Sequence, residues 1–445
     1  MKAKRRVIAS PGKQRALVRT VSLPIRVTRV SLPAACHVGV TGFPAHSSAG
    51  SDDPVHTATG RPRSLNIALV KRRYSLQRGG SERYCVNLAR QLRKLGHRVT
   101  LIGESIDDEL RTEVEFIPVR VNNLTSWTRN RSFAENCGKA ARDGKFDIVY
   151  GLARSFGLDA VRITERLQSH WVNVHYRHPL HRMFQKLNPR HRTLISLERS
   201  IFRSRDVRRI VAQSSLDREL VSEYYGVPED KIRIVPNGVD TSVFHPGVRA
   251  ERMQVRHEFG IAADEPLLLF ASMDFEGKGL RSVLSALRAA RHRATKLLVL
   301  GKGPIRRFTR LARKHGIGQR VTFVGRRREI QRFYAAADLF LLPTTYEPFP
   351  NVNLESMACG TPVLTTRTAG GADVVQPGHT GYLVSNGRAV DEITRCIDLH
   401  FSRPGTERDA MSAACWEVAR HRTLEYNVRR TLEIFEEVLL EKSRV

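Results

Sequence analysis

At 445 residues with 41% apolar content, the chain is long enough for two α/β domains and has the composition of a globular protein. No run of about 18 apolar residues occurs, so no membrane-crossing helix is expected. The formal net charge of +30 attracts any polyanion, whether nucleic acid, anionic lipid or phosphorylated glycan. No zinc-finger spacing or RNA-recognition signature is present and the basic residues are spread over both halves, which argues against a nucleic-acid partner. The six cysteines (Cys36, Cys85, Cys137, Cys359, Cys396 and Cys415) are far apart and form no Cys-x-x-Cys pair, leaving free thiols in a reducing cytosol as the expectation and giving no sign of a bound metal.

Residues 1 to 63 are Arg-rich, with no acidic residue before Asp52 and no sustained hydrophobic period. Val7 to Leu17 is too interrupted for a signal-peptide core. The segment reads as a disordered basic extension, with a transit peptide as the other reading. The folded part is expected from Leu65. Leu65 to Val70 reads as a buried strand, a loop ends in Gly79-Gly80, and Cys85, Leu88, Ala89, Leu92 and Leu95 recur at helical spacing before Gly96. With Val99 to Ile102 as the next strand, this is the start of a βαβ unit. Gly79 and Gly80 would let backbone approach a diphosphate closely, though such a pair is often only a turn.

Further strands are expected at Phe116–Val119, Phe146–Tyr150 and Trp171–His175, the last placing His175 at a carboxyl end where ligands bind; His178 is the alternative. From residue 177 to 209 the chain is strongly basic. Within it Leu180, Met183, Phe184 and Leu187 form one apolar face beside Arg177, His181, Arg182 and Lys186. Such a helix either lies on an anionic membrane or docks on the core. Ile210–Ser214 reads as a strand and Leu216–Tyr225 as a helix; a hinge is placed at about Gly238–Gly247.

The second half repeats the alternation. Leu267–Ala271 is read as a strand, followed by a loop ending in Gly277-Lys278-Gly279 and a helix carrying Leu280, Val283, Leu284 and Leu287. A lysine in such a loop suits a phosphate, or is plain solvated surface. Leu297–Gly301 and Val321–Gly325 are the next strands, the latter running into Arg326-Arg327-Arg328. The apolar run Asp338–Pro343 leads into Tyr346 to Pro362, in which Glu347 and Glu355 are separated by seven residues. Asn351 to Asn353 should open a helix that ends at Gly360. Glu347 then lies in a loop at a strand's carboxyl end and Glu355 in the first turns, near free amides and the positive end of the dipole. Two acids beside a phosphate site suit hydroxyl-rich partners; the plainer reading is one solvated acid and one acid complementing the dipole. The last helix is expected as one span, about Ala410 to Glu441.

Glu347, Glu355, Ala358-Cys359-Gly360-Thr361-Pro362-Val363 and Gly370-Gly371 resemble the signature of the family-four retaining glycosyltransferases. Pro236-Asn237-Gly238-Val239-Asp240 with Phe244-x-Pro246 resembles that family's crossing between domains. The resemblance spans roughly residues 65 to 440 and, around Leu194–Phe202, Leu268–Leu287 and Glu347–Thr366, is nearest the lipopolysaccharide core glucosyltransferases. It implies the α/β GT-B fold: two Rossmann-like domains facing each other across a cleft, here 64–240 for the acceptor and 241–415 for the nucleotide sugar, with 416–445 crossing back to the first.

The resemblance also implies a hexosyltransferase acting with retention. Its donor would be a nucleotide-diphosphate sugar, UDP-glucose foremost, and its acceptor a lipopolysaccharide core or other cell-envelope glycan or glycolipid. Lys278 and the amides of Asn351, Val352, Asn353 and Leu354 would stabilise the diphosphate, Glu347 the sugar and Glu355 the ribose, with Gly79, Gly80 and Phe349 lining the donor and His175 meeting the transferred sugar. Relatives often carry an arginine a few residues before the lysine; Ser272 and Met273 stand there, so Arg326 or Arg327 is expected to compensate. No cofactor or metal is required on this reading, and the enzyme would sit in the cytoplasm, peripheral on the inner face of the membrane. A GDP-sugar mannosyltransferase is the alternative within the class, and a nucleic-acid binder the alternative outside it. A nucleotide-dependent dehydrogenase is excluded because Gln77 to Glu82 lacks Gly-x-Gly-x-x-Gly.

Overall fold

The computed structural model describes residues 64–76, 79–176 and 178–444. The expected extension at 1–63 and Arg177 of the basic stretch lie outside them. The described strands are, in chain order, β1 (Asn66–Val70), β2 (Arg73–Tyr74), β3 (Arg98–Gly103), β4 (Ser105–Ile106), β5 (Glu115–Pro118), β6 (Ile148–Gly151), β7 (Ala160–Arg162), β8 (Arg209–Ala212) and β9 (Ile232–Ile234). After the crossing come β10 (Leu267–Ser272), β11 (Lys296–Gly301), β12 (Val321–Gly325), β13 (Leu339–Leu341), β14 (Val363–Thr366) and β15 (Gly381–Val384).

The first sheet has the order β5-β3-β1-β6-β7-β8-β9 and the second β12-β11-β10-β13-β14-β15, while β2 and β4 pair separately. Both large sheets are parallel, which forces a crossover between successive strands and covers both faces. Their strands are accordingly near-continuous apolar runs, as in Leu267–Ala271, all at most 3% exposed. In each sheet the strand order reverses beside the first strand, at β1/β6 and at β10/β13. Such switch points open a crevice at the strands' carboxyl ends.

Alternate residues of the first sheet enter two cores. Ala68, Val70 and Val149 join one, while Ile67, Leu69 and Ile148 join the other. The second core is completed by Val428, Ile434, Phe435 and Val438 from the chain's last helix.

Three expectations are corrected. The chain's end is two helices, Gly405–Arg420 and Leu424–Lys442, not one span. The break is pinned where Val239 N–H donates to the Arg422 carbonyl at 2.9 Å and the Thr423 hydroxyl caps Tyr426. Trp171–His175 is not a strand but the end of the helix Gln168–His175, whose first peptide N–H is held by the buried Glu198 carboxylate. The strand at that place is β7, three residues long and built around Arg162. Its arginine hides it from a hydrophobic reading, yet Arg162 is buried, donating to the Val235 carbonyl and to Asn237 and lying over the Tyr84 ring at 4.5 Å. Finally, no asparagine caps the helix Asn351–Ala358; Pro350 precedes it, and Asn351 Oδ1 accepts instead from Asn237 Nδ2 at 2.6 Å, joining the two domains.

Candidate active site

Lys278 and Glu347 are brought together by sheet order. β10 and β13 are neighbours, so the loops leaving their carboxyl ends emerge side by side. The Gly277 carbonyl accepts from Thr345 N–H at 3.3 Å and from the Thr344 hydroxyl at 3.3 Å, tying the two loops. Gly279 has φ +85°, and a Cβ there would lie 2.2 Å from the Pro343 carbonyl oxygen, so only glycine lets the Lys278 loop pack this closely. On the other side, Gly370 N–H donates to the Glu347 carbonyl at 2.9 Å.

Lys278 Nζ donates to Glu347 Oε2 at 2.5 Å. Burial alone would raise the Glu347 carboxyl; Lys278, then Arg166, outweigh it and hold it below the usual carboxylate range. For Lys278 burial prevails, with Arg166 adding to it, and the amine is lowered despite its partner. The site therefore keeps an ionised acid beside closely spaced cations.

Glu355 lies one helical turn on, partly covered, and accepts from the Tyr334 hydroxyl at 3.3 Å. Burial raises its carboxyl, with Arg83 opposing. The first turn of the helix Asn351–Ala358 presents its end amides, of which Asn353 N–H donates to the Pro350 carbonyl at 3.0 Å. Facing it is the start of the first domain's helix Gly80–Lys94; a Cβ on Gly80 would sit 3.4 Å from Asn351 Nδ2. Gly79 has an ordinary extended backbone, so its freedom of φ is not what places it there. Two positive helix ends thus converge on one crevice, an arrangement suited to a phosphate or diphosphate. The Asn353 carboxamide is fully buried there with neither polar atom hydrogen-bonded, against Gly371.

The other expected residues are less central. Phe349 and Leu354 are buried in the second domain's core. Arg326 is exposed, and Arg327 lies 4.0 Å from Glu258. His175 stacks on Trp171 at 4.3 Å. Burial, then Arg166 and Arg388, lower its imidazole, so it stands within the field of the cluster without a hydrogen bond to it. His178 is exposed, at the start of the helix Pro179–Leu187.

Two residues of the first domain were not foreseen. Arg166 Nε and Nη2 each lie 3.3 Å from Glu347 Oε2. His170 packs edge-on against Tyr346, ring centroids 4.6 Å apart. Once β7 is recognised, both follow from being just past a strand's carboxyl end; Ile163-Thr164 after Val161 was the available signal. A cavity of about 470 Å³ on the first domain, lined by Phe146, Phe156, Ser200 and Lys442, contains none of these residues and is separate from the cleft.

Comparison with known proteins agrees with this architecture. Residues 265–400 match the family model described as glycosyl transferases group 1, and residues 78–243 that described as glycosyltransferase family 4. A probable transglycosylase of Burkholderia thailandensis is 32% identical over 301 residues, covering 67% of this chain and 77% of that protein. The lipopolysaccharide glucosyltransferase WaaG of Escherichia coli is 25% identical over 348 residues, covering 77% of this chain and 90% of WaaG. A crystal structure of WaaG superposes with TM-score 0.72 at 23% identity, covering 83% of this chain and 99% of that one. The fold is that of the two-domain GT-B glycosyltransferases, and the chain belongs to the group 1 and family 4 glycosyltransferases.

Proposed function

We propose that the chain transfers a hexose from a nucleoside-diphosphate sugar, UDP-glucose foremost, with retention at the anomeric carbon, onto a lipopolysaccharide-core or related cell-envelope glycan. The observation that carries the donor reading is the Lys278–Glu347 pair set between two converging helix N-termini. Glu347 takes hydroxyls of the sugar and Glu355 those of the ribose. Lys278 and the first-turn amides offset the charge that develops as the bond from the anomeric carbon to the diphosphate oxygen breaks. The acceptor oxygen forms its bond on the same face, and its proton passes to the leaving diphosphate. On this reading lysine and helix amides fill the role a metal ion would otherwise take. The choice of sugar and acceptor is supported by similarity to WaaG, whose name states both.

Such an acceptor sits in a membrane, and the enzyme would work peripherally on its cytoplasmic face. Support comes from the helix Pro179–Leu187, none of whose residues is buried; Leu180, Met183, Phe184 and Leu187 are 53–63% exposed. This face is not docked on the core. Beside it runs a groove of about 410 Å³ with Lys186, Arg192 and Arg199 on its lining, an electrostatic match for anionic headgroups. Among the described residues no helix is long and apolar enough to cross a membrane.

The test is turnover and binding of UDP-glucose, UDP-galactose, UDP-GlcNAc and GDP-mannose, beside Glu347→Ala. Saturable use of one UDP-hexose, lost in the variant, is expected. Use of GDP-mannose instead would keep the chemistry and remove the lipopolysaccharide-core assignment.

A further inference from the structure

Lys278 is the second domain's lone cation in its loop. Ser272 and the exposed Met273 precede it, and Arg281 and Arg307 pair with Glu276. A nucleoside diphosphate leaving group carries more than one negative charge, and one buried lysine whose own charge is disfavoured by burial does not balance it.

A second cation stands on the opposite domain. Arg166 places two guanidinium nitrogens 3.3 Å from the carboxylate oxygen that Lys278 also holds, and its Nη2 is 3.9 Å from Asp274 Oδ2. The peptides around it are heavily pinned. Arg154 Nη2 donates to the Arg166 carbonyl at 2.8 Å, Leu167 N–H donates to the Tyr346 hydroxyl at 3.2 Å, and Gln168 N–H donates to Glu198 at 2.9 and 3.0 Å. Glu198 is 1% exposed and pairs with Arg154 at 2.6 Å. A buried ion pair contributes little net stability, so its use to fix the backbone beside one half-exposed arginine points to positioning. A planar guanidinium so held loses little freedom on gripping a phosphate.

We propose that Arg166 is a catalytic residue of the transfer, reaching across the cleft from the first domain to share the leaving diphosphate with Lys278. In the structure both cations rest on Glu347. When sugar hydroxyls take that carboxylate, both turn to the diphosphate. As the bond between anomeric carbon and diphosphate oxygen breaks, the electron pair stays on that oxygen; Arg166 stabilises it and exchanges no proton. This rests on the donor reading above. It also means the diphosphate site is complete only when the two domains are closed.

The test is calorimetric binding of UDP, UMP, GDP and GMP, with donor turnover, for the full chain and for Arg166→Gln and Arg166→Lys. Each variant is also made in a Glu347→Gln background. Arg166→Gln should weaken the diphosphate that the wild type binds by about 10-fold or more, leave the monophosphate within about twofold, and cut transfer about 100-fold. Arg166→Lys should recover part of both, and the cost should persist in the Glu347→Gln background. Unchanged diphosphate affinity in Arg166→Gln would overturn the proposal. So would a cost that vanishes once Glu347 is neutral, since Arg166 would then act only by holding that acid. A wild-type chain that binds no nucleoside diphosphate would sink the donor reading itself, and this inference with it. Thermal melts of the variants guard against misfolding; Arg166 is 31% exposed, and little change is expected.

Discussion

The two domains share a sheet plan but build their interiors and their share of the cleft differently. The second has one hydrophobic core, running from Val239 at the crossing to Ala419 of the helix Gly405–Arg420. The first has a core on each face of its sheet, and one of them is finished only by the returning helix Leu424–Lys442. The site follows the same division. The second domain's contribution is local in sequence, from Lys278 after β10 and Glu347 to Glu355 after β13. The first domain contributes Gly80, which its Gly-Gly loop announces, and Arg166 and His170, which sequence neighbours do not reveal. Residues that sit in short motifs can be read; those whose role is assembled by partners far along the chain cannot.

The largest effect should come from breaking the first domain's borrowed core. Phe435 is fully buried and packs edge-on against Tyr150 at 5.0 Å. Phe435→Ala is expected to cost about 3–5 kcal/mol, and calorimetry should show the transition split, the first domain melting earlier. A single transition lowered as a whole would mean the two domains unfold as one unit.

Next is the second domain's local site. Lys278→Ala should lower transfer about 10²–10³-fold with little change in melting temperature, because a lysine lowered by burial contributes little to stability. Equal loss of stability and activity would recast Lys278 as a structural residue.

A smaller effect distinguishes the domains by pH. Asp217 in the first domain is fully buried and its carboxyl is pushed up to about 8 by burial; the Gln213 N–H donates to one of its oxygens at 3.3 Å and the other has no partner. A raised folded value means the full stability is present below the unfolded value near 4 and is lost as pH rises towards about 8. Asp217→Asn should therefore melt like the wild type near pH 4 and a few degrees higher near pH 8. A constant difference across that range would show that Asp217 does not titrate there.

The smallest effect is at the break between the last two helices. Thr423→Ala removes the hydroxyl that accepts from Tyr426 N–H at 3.2 Å and should cost about 1 kcal/mol in urea unfolding.

The sequence alone determined the α/β class, the alternation in both halves, the crossing near Asn237 and the Glu347–Glu355 segment with Lys278. The class and the alternation rest on periodicity, where strand, loop and helix start are set by local preferences; the crossing and the Glu347–Glu355 segment with Lys278 rest on the family resemblance carried by short motifs. The tertiary structure decided the rest. Trp171–His175 reads as a strand by composition, yet Glu198, far along the chain, holds the start of a helix there. β7 is masked by an arginine whose buried head meets the Val235 carbonyl, Asn237 and the Tyr84 ring. Arg166 was invisible because its partner, Glu347, lies on the other domain, 181 positions away. A charge becomes functional through what it faces, and what faces it is set by how two separately folded sheets close on each other.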